Sequence, residues 1–336
     1  MIMKETNNNN PLAELMAGDP TPVEVAPGLT AQEMRAIYFD ADALREPPYR
    51  LYRLDEQGYR YYYRIEGDRA VLYPSVTTLL RQTTPTSPFL IAWMVENGDA
   101  ATEKRDMAAA YGTFMHIQFE RLIILRTYDL DKAGAVLRDY MEQENIADKY
   151  YFEWLPRIRK DILAFAQFIK DYNVKPLAVE ISLVSSLGYA GCIDLPCEMT
   201  SKGETFRAII DFKSGRNGFY EDYELQLGLY RDMWNENFPD TPIKRIFNFA
   251  PKDWRKSPTY NLKEQTDAPS LATLPHIIAI ASIKDDKRDK DVTYCDGVIK
   301  LDEPLDDHFH TISLAELLTT KHAGEQEQAE TLFKAE

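Results

Sequence analysis

Apolar positions along the chain change their period twice. From Ser75 to Tyr172 they recur at the three-to-four-residue spacing of one helical face, over Phe89–Asn97, Thr102–Tyr128, Asp131–Glu144 and Phe152–Tyr172. The spacing then shortens to that of strands. Leu177–Ser186, Tyr189–Met199 and Phe206–Lys213 are the predicted strands, joined at Leu187-Gly188 and across Thr200–Thr205 around Gly203. Tyr220–Asn237 returns to helical spacing, and Ile243–Ala250 to a further strand. Helices, a strand meander, a helix and a strand in that order predict an α/β fold, with a central mixed sheet flanked by helices.

The ends read differently. Met1 to about Pro27 is polar, Asn- and Pro-rich, and predicts a disordered tail. Thr30 followed by Glu33 is a capping-box pattern that opens a short helix at Ala31–Tyr38. Tyr49–Leu72 is dense in Tyr and Arg around Glu56-Gln57-Gly58 and Glu66-Gly67-Asp68, the pattern of strands joined by turns. Its interleaved rings and guanidinium groups suit base stacking or paired strand faces equally. Lys284–Asp291 predicts a charge-dense loop, and Ser313–Glu336 a polar peripheral helix. The chain thus divides into a tail (1–27), an N-terminal helix and hairpin extension (28–72), a core (73–283), and a charged loop with a C-terminal helix (284–336).

A net charge of −15 argues against a strong nucleic-acid binder, until its distribution is considered. Residues 1–48 hold 3 basic and 8 acidic side chains (−5), and residues 261–336 hold 8 and 16 (−8). The middle, 49–260, holds 28 and 30 and is nearly neutral at −2, so a local basic groove is compatible with it. No apolar run approaches the roughly 20 residues of a membrane span, and Met1–Pro20 lacks the basic start and apolar stretch of a signal peptide. A cytoplasmic protein with no membrane partner is the expectation. Cys192, Cys197 and Cys295 are too few and too scattered for a disulfide framework or a four-thiolate metal site, and are expected to be small buried or half-buried residues.

The chemistry concentrates in Ile209-Ile210-Asp211-Phe212-Lys213-Ser214-Gly215. Strand alternation puts Ile210 and Phe212 on the core face and Asp211 with Lys213 on the other, about 7 Å apart along the strand, with the lysine exposed. A lone D-x-K is commonly a surface salt bridge. This one follows Gly188-Tyr189-Ala190-Gly191-Cys192-Ile193-Asp194, where Gly191 admits close approach beside Asp194. A hairpin would bring Asp194 next to Asp211, and a divalent cation is the usual remedy for two such carboxylates. Upstream, Gly112-Thr113-Phe114-Met115-His116 is helical, with Glu120 one turn later on the same face. Downstream, Gln226 and Tyr230 share a helical face.

The order G-x-x-x-H on a helix, E in a strand, G-x-x-D, D-x-K and Q-x-x-x-Y on a helix resembles the PD-(D/E)XK nuclease superfamily, in its RecB-like and phage-exonuclease branch. Here these are Gly112/His116, Glu180, Gly191/Asp194, Asp211/Lys213 and Gln226/Tyr230. Tyr73–Leu80 and Leu90–Trp93 also look like the opening of such phage enzymes, so the resemblance runs over about residues 73–251. It implies a restriction-endonuclease-like core and a Mg²⁺ or Mn²⁺ site made by His116, Asp194, Asp211 and the Phe212 carbonyl. Lys213 would position or deprotonate the attacking water and stabilise the charge developing on phosphorus. Glu180 is left with three roles: orienting water, binding a second metal, or pairing a basic residue. Glu120 is expected to be solvated or to stand behind the metal ligands. Gln226 and Tyr230 would brace the site and contact substrate. His276, His308, His310 and His322 show no partner pattern and are expected on the surface or in loops. Some RecB-like relatives carry a four-cysteine iron–sulfur cluster, which three cysteines cannot supply.

The implied activity is hydrolysis of DNA, single- or double-stranded, by an exonuclease of phage or bacterial recombination, replication or repair, working alone or with a protein of those pathways. A structure- or sequence-specific endonuclease on the same core, and a catalytically silent nucleic-acid- or protein-binding module, are the alternatives.

Overall fold

The computed structural model describes residues 44–56, 58–66, 69–215, 219, 221–285, 291–295 and 309–313. The Tyr- and Arg-rich segment forms an antiparallel three-stranded meander, β1 (Tyr52–Glu56), β2 (Tyr59–Glu66) and β3 (Arg69–Pro74). Tyr62 and Tyr73 turn inward, against Val184 and Ala190. Ser75 then caps α1 (Val76–Thr83), its Oγ accepting the Thr78 N–H at 3.0 Å. Four helices follow: α2 (Pro88–Asn97), α3 (Ala100–Leu125), α4 (Ala133–Gln143) and α5 (Tyr151–Asp171). In α5 the buried Trp154, Ile158, Ile162, Phe165 and Phe168 make one continuous apolar stripe.

The strand region is β4 (Lys175–Pro176), β5 (Ile181–Ser185), β6 (Tyr189–Ile193), β7 (Leu195–Ser201) and β8 (Glu204–Phe212). After it come α6 (Glu221–Asn237), β9 (Arg245–Pro251), β10 (Tyr260–Glu264), α7 (Leu274–Asp285), β11 (Asp291–Cys295) and β12 (Phe309–Ser313). The central sheet has the order β10-β9-β8-β7-β4. It is mixed, because β8 and β9 run parallel through the α6 crossover while the other pairs are antiparallel. Helices cover both faces. On one, Ala208, Ile210 and Phe212 of β8 pack with Phe247 and Phe249 against α3, α4 and α5. On the other, Ile209 and Ile246 pack with α1, α6, α7 and the β5–β6 hairpin. Strand β8 is therefore buried on both sides at its C-terminal end, and that end carries the D-x-K motif. This is the expected α/β class. Among the described residues, no helix is long and apolar enough to cross a membrane.

Several expected boundaries move for identifiable reasons. Tyr189–Met199 is two strands, because β6 pairs with β5 and β7 with β8, and the chain bends between them at Asp194. Leu177–Ser186 yields only Ile181–Ser185, since Glu180 takes a left-handed φ of 48° that no strand accepts. Strand β10 and helix α7, which the periodicity did not separate, add an edge strand and a covering helix. Of the loop expected over Lys284–Asp291, Lys284 and Asp285 belong to α7 and Asp291 to β11, and residues 286–290 lie outside the described residues. The helices expected at Ala31–Tyr38 and beyond Ser313 lie outside the described residues.

Candidate active site

The motif residues converge at the C-terminal end of β8, reached by α3 from one face and α6 from the other. His116 and Glu120 lie one turn apart on α3. Asp194 sits at the bend between β6 and β7, where its carbonyl accepts the Glu180 N–H at 2.9 Å. That bond fixes the strained backbone of Glu180 beside it. Asp194 Oδ2 accepts the Phe212 N–H at 2.6 Å, so the strand break turns this carboxylate onto the end of β8. Gly112, one turn before His116, has room only for the loop after Lys213: a Cβ there would stand 3.2 Å from Ser214 Oγ.

His116, Glu180 and Asp194 each offer a ligand atom within 4.8 Å of the others. His116 Nδ1 is 3.6 Å from Glu180 Oε1 and 3.7 Å from Asp194 Oδ2. Its Nε2–H is directed to the Phe212 carbonyl at 3.0 Å, which fixes the tautomer and leaves Nδ1 for a cation. That carbonyl keeps a second lone pair. Glu180 Oε1 is buried without a hydrogen-bond partner, 3.6 Å from His116 Nδ1, and can accept a cation there. Imidazole and carboxylate oxygens so grouped suit a divalent metal.

Asp211 and Lys213 are closer and drier than strand spacing suggests. Lys213 Nζ is 2.7 Å from Asp211 Oδ2, with the aspartate side chain 2% and the lysine side chain 17% exposed. The exposed lysine expected from sequence is therefore largely buried, because α6 covers this face. Lys213 Nζ also donates to Gln226 Oε1 at 3.0 Å and lies 4.4 Å from the Tyr223 ring centre. Gln226 Nε2 donates to the Tyr230 hydroxyl at 2.8 Å. Tyr230 packs where Gly191 leaves space: a Cβ on that glycine would lie 2.7 Å from Tyr230 Cε1.

The electrostatics show too much negative charge. Burial opposes protonation of His116, but Asp194, Glu180 and Asp211 outweigh it and raise its pKa to about 9. Burial raises Asp194 to about 8, against the pull of His116 and with the push of Glu180 and Asp211. Burial and the Glu180 charge also raise Glu120 to about 8. Glu120 is thus a buried residue and not a solvated one. Burial, then the charges of Asp211 and Asp194, hold the Tyr230 phenol far above its usual pKa and keep it neutral. His116 and Asp194 thus hold their protons more tightly than usual, and a divalent cation bound between them would displace those protons.

Sequence reasoning gave no site role to three residues here. Asn248 donates to Asp211 Oδ2 at 2.8 Å. Gln265 donates to Asn248 Oδ1 at 3.1 Å. The Cys192 thiol donates to Glu180 Oε2 at 3.3 Å. A signal existed for the first: Asn248 interrupts the apolar run Ile246-Phe247-Asn248-Phe249-Ala250, and a polar residue in a buried strand needs a partner. Of the described cysteines, Cys197 is buried and Cys192 half-buried, both free, as expected. His276 is exposed on α7.

A mixed sheet flanked by helices, with a His/Glu/Asp group and a Lys–Asp pair at one strand end, is the arrangement of restriction-endonuclease-like proteins. The PD-(D/E)XK nuclease superfamily matches residues 90–297, and the chain belongs to that superfamily. No curated protein sequence matches the chain. Among solved structures, a "putative exonuclease" from Eubacterium rectale is similar at 14% identity and a TM-score of 0.31, over 53% of this chain and 65% of that one. The chain thus spans just under two thirds of that protein's length. The protein SSO0001 is similar at 11% identity and a TM-score of 0.23, over 52% of this chain and 87% of that one.

Proposed function

We propose that this protein is a divalent-metal-dependent deoxyribonuclease of the RecB-like branch, and that it degrades DNA from its ends. The convergence of His116, Glu180 and Asp194 within 4.8 Å, beside Lys213 held on Asp211, carries the reading. The order of motifs from Gly112 to Tyr230 supports the branch, and with it a role in phage or bacterial recombination, replication or repair. His116 Nδ1, Asp194 and Asp211 would hold the ion, with Glu180 and the Phe212 carbonyl beside them. A bound Mg²⁺ or Mn²⁺ supplies Lewis acidity at the scissile phosphate and lowers the pKa of a bound water. Lys213 has a third N–H beyond those given to Asp211 and Gln226. That proton is available to the attacking water or to a phosphate oxygen as charge develops there. Gln226 and Tyr230 hold the lysine at its angle and line the approach to it.

The decisive experiment offers linear duplex, single-stranded and covalently closed circular DNA to the protein with Mn²⁺, Ca²⁺ or excess EDTA. Release of small nucleotides from linear DNA alone, in Mn²⁺ only, is the expected result. Undiminished cleavage in EDTA would remove the metal mechanism. Nicking of the closed circle would make the protein an endonuclease using the same residues. DNA binding without cleavage under every condition would make it a binding module.

A further inference from the structure

Asp211 is enclosed by more than its lysine. In the parallel β8–β9 pairing it lies opposite Asn248. Asn248 is fully buried, and Gln265, the residue after β10, is 3% exposed. Gln265 is itself anchored, its backbone N–H donating to the Ile246 carbonyl at 2.9 Å.

The direction of each bond in this chain is determined. A carboxylate only accepts, so the Asn248 amide must turn its NH₂ toward Asp211, at 2.8 Å. Its Oδ1 then faces Gln265, whose NH₂ must point inward to meet it, at 3.1 Å. From the other side Lys213 reaches the same carboxylate, at 2.7 Å, and passes the polarity on through Gln226 to Tyr230. Both donors to Asp211, the lysine ammonium and the asparagine amide, fall on Oδ2.

We propose that Asn248, oriented by Gln265, is a positioning residue that ties Asp211 Oδ2 to Lys213 and so reserves Oδ1 for the divalent ion. The inference rests on the metal-site reading above. Without the amide, the carboxylate can rotate about its Cβ–Cγ bond. The lysine and the ion then compete for both oxygens. A purely structural role, fastening β9 to the chain after β10, would affect stability and leave the ion's affinity alone.

The test is calorimetric titration of Mn²⁺ into the DNA-free protein, wild type against Asn248→Leu and Gln265→Leu, with folding checked by circular dichroism. Leucine keeps the branched, four-heavy-atom side chain of asparagine and comes near glutamine in size, without the polarity of either. Asn248→Leu is expected to raise the Mn²⁺ Kd about 10–100-fold, the usual effect of losing a partner that orients a metal ligand. Gln265→Leu, which does not touch Asp211, should raise it by a smaller factor, while KM for DNA stays near the wild-type value in both. Should Asn248→Leu fail to fold, the Gln265→Leu titration decides alone. Folded variants that melt earlier but bind Mn²⁺ like wild type overturn the proposal and leave the metal site standing. A wild-type protein that binds no Mn²⁺ overturns the metal-site reading, and this inference falls with it.

Discussion

Replacing Lys213 by Ala should damage the fold as well as the chemistry, because the lysine neutralises a carboxylate that water scarcely reaches. Its Nζ lies 2.7 Å from Asp211 Oδ2 and 3.0 Å from Gln226 Oε1. Removing one partner of a buried ion pair costs about 3–5 kcal/mol. Two features reduce that figure here. Asp211 keeps its bond from Asn248, and the lysine side chain is 17% exposed, so it gives up only part of its hydration in the native state. A loss of about 2–3 kcal/mol remains, in the range of hydrogen bonds to charged groups. For a domain of this size that lowers Tm by about 4–12 °C. The effect should depend on metal, since a divalent ion restores positive charge beside Asp211. Thermal melts of wild type and Lys213→Ala, each in EDTA and in Ca²⁺, read this directly. The gap should be widest in EDTA and narrower in Ca²⁺, while Mn²⁺-supported cleavage disappears. Melting temperatures within about 1 °C of each other in EDTA would refute the reasoning, because they would mean that water solvates Asp211 as well as the lysine does.

Further outcomes follow from the same geometry. Asp194 and Glu120 are raised from 3.8 and 4.5 to about 8, and His116 from 6.5 to about 9. Each group binds its proton more tightly folded than unfolded, so metal-free stability should fall as pH rises from about 4 to about 9. Divalent ions displace those protons, and the Ca²⁺-induced rise in Tm should be larger at pH 8.5 than at pH 6; an increment independent of pH would count against these groups as ligands or their neighbours. Gly191→Ala places a Cβ 2.7 Å from Tyr230 Cε1 and 3.2 Å from Val76 Cγ2, both in well-packed surroundings. It should cost about 1–3 kcal/mol in a denaturant titration and lower cleavage by displacing Tyr230 from Gln226, whereas unchanged stability would show that the tyrosine moves aside freely.

Much of this protein was legible in one dimension. Helical and alternating periods are local properties of the backbone, so α3, α5, α6 and the strands around β8 stood close to where the pattern put them. The D-x-K motif and the helix-borne His116 carry their spacing with them, and the order of the motifs was enough to suggest the superfamily to which the chain belongs. What the pattern could not contain is which face is wet. Alternation sets Asp211 and Lys213 opposite Phe212, but only α6, folded over that face, makes the pair buried and the ion pair strong. The bend at Asp194 likewise depends on two neighbours, β5 and β8, that pull β6 and β7 into different sheets. Asn248 and Gln265 lie 37 and 54 residues beyond Asp211 and belong to no motif. Their roles arise because a parallel strand pairing sets Asn248 beside a buried carboxylate, and because a buried amide must find partners wherever the chain brings them. Spacing along a strand or helix is determined by covalent geometry and survives in the sequence. Burial, and the charge interactions that burial strengthens, exist only once distant segments have packed.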